Sequence, residues 1–126
     1  MAMSSGGFKD LKVYKEAYDL AMKIFDETKK FPKEETYSLT DQIRRSWRAV
    51  CALIGEGYRK RKYPKSFAIM MVNADGEASE TTVHLDFAFD CGYLEKEKSE
   101  ELINDIEELL RIIGSIQLSM KTKLKL

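Results

Sequence analysis

Residues 64–91, PKSFAIMMVNADGEASETTVHLDFAFDC, decide how this chain folds. The stretch opens on Pro64, which suits the first turn of a helix because the N–H it lacks has no intrahelical partner there. It holds no further proline and ends just before Gly92, a natural helix stop. On a wheel of about 100° per residue, Phe67, Met71, Ala74, Ala78, Leu85 and Phe89 share one face. Ile69, Val72, Gly76, Val83 and Phe87 share the opposite face, and polar residues fill mainly the two flanks. A helix in a monomeric bundle needs only one apolar face. The second is expected to be covered by another copy of the chain, or by a neighbouring helix that wraps further round than usual. At about 25 cal/mol per Å² of apolar area, burying five such positions would contribute several kcal/mol.

The flanking sequence repeats the helical period. Upstream, Leu39, Ile43, Trp47, Val50, Ile54 and Tyr58 form the inner stripe of a helix over about Leu39–Lys62. Ser38, with Asp41 three residues on, resembles a capping box with Asp in place of the usual Glu. Arg44, Arg48, Ala52, Gly55 and Arg59 line the other side of this helix, basic at both ends and small in the middle. Glycine inside a helix costs about 1 kcal/mol relative to alanine, so Gly55 and Gly57 point to close helix packing, within the chain or between copies. Further upstream, Leu11, Tyr14, Tyr18, Ala21, Phe25 and Thr28 give a first helix from about Asp10, a plausible N-cap, to Lys30, stopped by Pro32. Downstream, Leu102, Ile106, Leu109, Ile113, Ile116 and Met120 face inward on a last helix, about Lys96–Lys121. Four helices with short connections give an all-α, up-down-up-down antiparallel four-helix bundle. The expected organisation is one domain over 8–121, with a loose N-terminal segment 1–7 and a frayed tail 122–126.

The composition fits this. The 126 residues suffice for one core, and two prolines and seven glycines are too few for the turns of an all-β fold. No apolar run reaches the length of a membrane span, and Met1–Gly7 has neither the basic region nor the apolar core of a signal peptide. A cytoplasmic protein is therefore expected, with Cys51 and Cys91 as reduced, buried thiols. The formal net charge of zero hides a segregation. Residues 40–65 carry eight Lys and Arg against two acids, and residues 75–108 carry twelve acids against two lysines. Such a two-signed surface favours oriented self-association or an anionic partner on one side.

The residues offer little for catalysis. The lone histidine, His84, lies on a polar flank near Glu77 and Glu80. A carboxylate-bundle metal centre needs two Glu-x-x-His motifs, so no metal site and no cofactor are expected, and the chain is read as non-enzymatic. Gly55-Glu56-Gly57 lacks the strand and the Gly-Lys-Ser/Thr of a phosphate loop. The strongest signal is cationic. Arg59, Lys60, Arg61, Lys62 and Lys65 surround Tyr63, and Arg44, Arg45 and Arg48 form a second cluster. Lys and Arg neutralise phosphates, and Tyr63 could stack on an unpaired base. The alternative is that these cations satisfy a helix C-terminus or pair with acids of the last two helices. The expected self-contact comprises Ile69, Val72, Gly76, Val83 and Phe87, with the small residues Ala52 and Gly55.

Phe8-Lys9-Asp10-Leu11-Lys12-Val13-Tyr14, Phe31-Pro32, Leu39-Thr40-Asp41-Gln42-Ile43-Arg44-Arg45, Gly55-Glu56-Gly57, Phe67, Glu77 and Gly92-Tyr93-Leu94 occur in that order. Together they make the chain resemble, over about residues 8–118, the bacterial four-helix-bundle family of 23S rRNA intervening-sequence proteins. The resemblance implies an up-down bundle assembled as a ring-shaped homopentamer, with RNA or other nucleic-acid binding the usual suggestion. The family also looks like the accessory variability protein of diversity-generating retroelements, which works with a reverse transcriptase and nucleic acid. Arg44 and Arg45 match the family's paired arginines, and Glu56 matches its Glu-Gly. Family members tend to carry small residues and a proline after the arginines, where this chain has Trp47 and Arg48. The expected function is a non-enzymatic oligomer that binds nucleic acid, RNA before DNA, through repeated basic patches. The alternative is a scaffold or protein-interaction module, such as a reverse-transcriptase accessory, without direct nucleic-acid binding.

Overall fold

The computed structural model describes residues 7–124, with side chains described as far as Met120. Residues 1–6 and 125–126, and with them most of the expected loose ends, lie outside the described residues. A 3-10 turn, Phe8–Asp10, leads into α1 (Lys12–Thr28). A second 3-10 turn, Lys33–Glu35, precedes α2 (Leu39–Arg59), which is followed by α3 (Pro64–Asp90) and α4 (Lys96–Leu124). No strand occurs among the described residues. Neighbouring helices pack as α1 on α2, α2 on α3, α3 on α4 and α4 on α1. Among the described residues α1 and α3 do not meet backbone to backbone, and neither do α2 and α4, so each pair lies on a diagonal of a four-helix bundle.

The helix ends follow local chemistry. Asp10 is not the cap of α1; it lies in the 3-10 turn, and Leu11 precedes the helix. Asp41 does not complete a capping box at α2. Instead Glu35 reaches forward, accepting from the Ser38 hydroxyl and from the Leu39 N–H at 3.3 Å. Asp41 pairs with Arg45 one turn on. α2 ends at Arg59 rather than Lys62, because residues 60–63 form a tight turn in which the Tyr63 N–H donates to the Lys60 carbonyl at 2.8 Å. Pro64 occupies the first turn of α3 as expected. Gly92 stops α3 at φ 81°, the left-handed region that favours glycine. There the Tyr93 N–H donates to the Ala88 carbonyl and the Gly92 N–H to the Phe89 carbonyl, a Schellman closure. Tyr93 then ties the two connectors at this end of the bundle. Its hydroxyl donates to Glu35 at 2.9 Å and its ring packs on Phe31.

The core runs through Ile43, Trp47, Val50, Ile54, Met71, Ala74, Ala78, Leu85, Leu102, Ile106 and Ile113. Trp47 is accommodated by a small neighbour: its indole N–H donates to the Ala17 carbonyl at 2.8 Å. Thr81, which sequence pattern leaves among the polar flanks, is fully buried; its hydroxyl satisfies itself on the Glu77 carbonyl and on Ser46 across the α2–α3 contact. Both glycines of α2 serve packing within the chain. A Cβ on Gly57 would meet Met71 Cε at 2.6 Å, and one on Gly55 would meet the Phe8 ring at 2.9 Å.

The phase of α1 differs from the sequence expectation. The structure buries Ala17, Leu20, Ile24 and Thr28, and leaves Tyr18 52% exposed. Nine of the seventeen residues of this helix are apolar, so spacing alone offers two centres for its inner face. Tyrosine hydroxyls need polar partners or water, and that favours the rotation that turns Tyr18 outward. Two further expectations are corrected. Phe89 is 40% exposed and Ala88 is the buried residue there, while Cys91 is exposed beyond the last turn of α3.

Candidate functional site

Three surfaces carry the residues singled out by the sequence. The first is the outer face of α3. Ile69 is 56% exposed, Val72 60%, Val83 49% and Phe87 57%, and Gly76 is open as well. No helix of the same chain wraps round to cover them. The stripe lies directly opposite the buried face of α3. Asp75, Glu80, Asp86 and Asp90 surround it, and among the described residues only Glu80 has a charged or titratable partner, His84 Nε2 at 3.8 Å. That nitrogen is itself shut off from solvent and neither accepts nor donates a hydrogen bond. Burial and the adjacent Glu80 raise the Glu77 carboxyl above the usual carboxylate range.

The second surface is the α2–α3 turn. Lys60 pairs with Glu56 at 3.6 Å. Arg61 donates to the Tyr58 carbonyl at 2.8 Å and stacks over the Tyr58 ring. Lys62 and Lys65 are exposed with no carboxylate partner among the described residues, and the Tyr63 ring faces solvent between them.

The third surface is one that spacing alone misses, the groove between α1 and α2. Rotation of α1 brings Tyr14, Tyr18 and Phe25 to the α2 side, where Phe8 joins them. Phe8 meets Tyr14 edge-on at 5.1 Å, and Tyr14 lies 6.2 Å from Tyr18. Arg59 stacks over Phe8 and Arg44 over Phe25. The Arg44 Nε also donates to Thr28 Oγ1 at 2.8 Å. Arg44 and Arg45 therefore do not pair with acids of α3 or α4; one is held by α1 and the other by Asp41 of its own helix. The two basic clusters stay apart, since Arg44 and Arg59 are separated by about 22 Å along α2 at 1.5 Å per residue. Ala52 lies exposed on the groove, whereas Gly55 is covered by Phe8 of the same chain. Cys51 lines the floor, buried, with its thiol pushed up to about 11 by desolvation.

Among the described residues no group of three or more His, Cys, Asp or Glu side chains is arranged to hold a metal ion, and no helix is long and apolar enough to cross a membrane.

The fold and its surfaces define the class of an all-α four-helix bundle with an unpartnered apolar helix face. The family model described as 23S rRNA-intervening sequence protein matches residues 9–115, and the chain belongs to that family. Among solved structures, the bundle is similar to a protein of unknown function from the S23 ribosomal protein family of Bacteroides thetaiotaomicron VPI-5482. The two share 25% identity with a TM-score of 0.76, over 83% of this chain and 94% of that one. No curated protein matches the chain.

Proposed function

We propose that the chain works as a non-enzymatic homo-oligomer, a pentamer on the family resemblance, whose repeated α2–α3 turns hold nucleic acid, RNA in preference to DNA. The observation that carries this is the turn itself. Lys62 and Lys65 are free of carboxylate partners among the described residues and flank an exposed Tyr63 ring. Cations neutralise phosphates and the ring offers a stacking platform, and repetition in an oligomer multiplies weak contacts through effective concentration. The family's description, which ties it to intervening sequences of 23S rRNA, supports RNA as the anion. Self-association is supported by the exposed stripe on α3, which a lone chain leaves in water.

Arg44 and Arg45 are engaged within α1 and α2, Lys60 by Glu56, and Arg61 by Tyr58, so the expected interface centres on Lys62, Tyr63 and Lys65. The same engagement favours the second reading, a scaffold or protein-interaction module such as a reverse-transcriptase accessory. Binding of structured RNA and of single-stranded DNA, titrated with salt, separates the two. The triple variant Lys62→Ala, Tyr63→Ala, Lys65→Ala is expected to weaken binding and to flatten the salt slope by about 0.7–0.9 for each phosphate it no longer neutralises. An oligomer with no affinity at low salt, or a triple variant that binds as the parent does, overturns the nucleic-acid reading.

A further inference from the structure

At the end of the α1–α2 groove lies a cavity of about 370 Å³, within the size range of small-ligand pockets. The Phe8 and Tyr14 rings line it, edge-on to one another at 5.1 Å, beside the small residues Ala52 and Gly55. Two charged side chains of α2 complete the lining, Glu56 and Arg59. They are three residues apart and so are neighbours on the helix surface. The Arg59 guanidinium lies 5.1 Å from the centre of the Phe8 ring and has no carboxylate partner among the described residues. Glu56 pairs with Lys60 at 3.6 Å, and both are about half exposed. Such exposed pairs contribute little, and a carboxylate has acceptor sites to spare.

Aromatic surface beside one anionic acceptor and one cationic donor complements a nucleobase taken out of its stack. Guanine satisfies both charges. Its O6 and N7 accept from an arginine, and its N1–H and N2 amino group lie side by side and both donate, which suits a carboxylate. Uracil offers one ring N–H between two carbonyls. Adenine and cytosine offer an amino group beside a ring acceptor that the carboxylate would repel. A base within a duplex has its Watson–Crick edge occupied, so only an unpaired one presents these donors. The cavity also adjoins the cationic turn: Arg59 is the last residue of α2, the turn follows at Lys60, and Lys60 touches Glu56.

From this we infer that the cavity seats one unpaired guanine of a strand whose backbone lies on Lys62 and Lys65. The inference rests on the nucleic-acid reading proposed above and names the base that this reading leaves open. Glu56 accepts from the Watson–Crick edge, Arg59 donates to O6 and N7, and Phe8 and Tyr14 supply the apolar surface.

The test uses the full-length chain and three end-labelled RNAs at low salt: a short oligouridylate, the same strand with one central guanosine, and that second strand annealed to its complement. Fluorescence anisotropy reads affinity. The guanosine strand is expected to bind roughly tenfold more tightly than the oligouridylate, and the duplex to lose that advantage. Ala52→Leu, which fills the cavity from an exposed position, and Glu56→Gln are each expected to abolish the preference for guanosine while the oligouridylate still binds through the turn. Circular dichroism and light scattering compare helix content and mass with the parent. An Ala52→Leu variant of lower mass would assign the cavity to a contact between copies and overturn the inference. So would a preference for guanosine that survives in both variants. Equal affinity of the parent for the two single strands overturns the inference and leaves the turn as the binding surface; no affinity for either overturns both. Guanosine monophosphate separates the sources of the base. It is expected to compete only weakly, because it lacks the neighbouring phosphates, and a monophosphate that matches the strand in affinity would overturn the assignment to a strand.

Discussion

α1 and α3 carry the same kind of sequence and resolve it differently. Each has more apolar residues than one inner face can bury. On α3 the excess lies directly opposite the core stripe, and polar flanks separate the two. On α1 the excess lies beside the core stripe, continuous with it, so that Tyr14, Tyr18 and Phe25 merge with Ala17, Leu20 and Ile24. The separated pattern leaves a detached apolar face, and the merged one builds a groove with the adjacent helix. An apolar surplus is therefore informative about the kind of surface it makes, and its angular distance from the core decides which.

The largest test of this contrast is on the two faces of α3. Leu85, 1% exposed, is expected to cost about 2–5 kcal/mol when replaced by alanine. Val83→Ala, two residues away, is expected to change folding by under about 0.5 kcal/mol in a dilute, unassociated chain. Urea denaturation of both measures it. Equal losses would mean that the outer stripe is part of the core.

A smaller effect separates the glycines. A Cβ at Gly57 meets Met71 and Met70, so Gly57→Ala is expected to cost about 1–3 kcal/mol through overpacking. Gly76, on the outer stripe, has nothing within 4 Å. Gly76→Ala is expected to stabilise the isolated chain, by up to about 1 kcal/mol from helix propensity. A stabilised chain that no longer associates would further show that α3 needs a close approach there.

The smallest effect concerns pH. Hydrogen bonds from Ser38 and Tyr93 hold the Glu35 carboxyl below the usual carboxylate range. Its contribution is present at neutral pH and is lost as acidification carries it through its lowered pKa. Tyr93, whose bond to Glu35 pushes it up to about 12, contributes fully below its ordinary value near 10 and loses that contribution as pH rises through 12. Both groups are solvent-accessible, so the changes are small. Glu35→Gln is expected to flatten the dependence of the urea midpoint at both extremes, and an unchanged profile would remove Glu35 and Tyr93 as the link between the connectors.

Much of this architecture is legible from residues alone. Pro64 and Gly92 bracket α3, and the strict 3-4 spacings of α2 and α4 put their inner faces where the structure has them. The double face of α3 is legible for the same reason: two periodic sets half a turn apart cannot both be core of one small bundle. The phase of α1 is not, because a wheel weighs Tyr18 and Leu20 alike and is blind to the hydroxyl. Thr81 escapes notice because its burial depends on Ser46, a partner thirty-five residues distant. The arginine groove escapes with α1, since Arg44 and Arg59 gain their aromatic partners only once that helix is rotated. Alternating sign along the chain reveals opposite charge, but which helix shields which acid is a matter of packing.

The knot made by Glu35, Tyr93 and Phe31 closes one end of the bundle, where two connectors meet. The opposite end gathers the Lys62–Lys65 turn, the start of α1 and the finish of α4. A label placed on the first turn of α1 therefore sits at the same pole as the cationic turn. Handles for immobilisation or fluorescent labelling belong at the far pole, where the exposed Cys91 already offers a thiol.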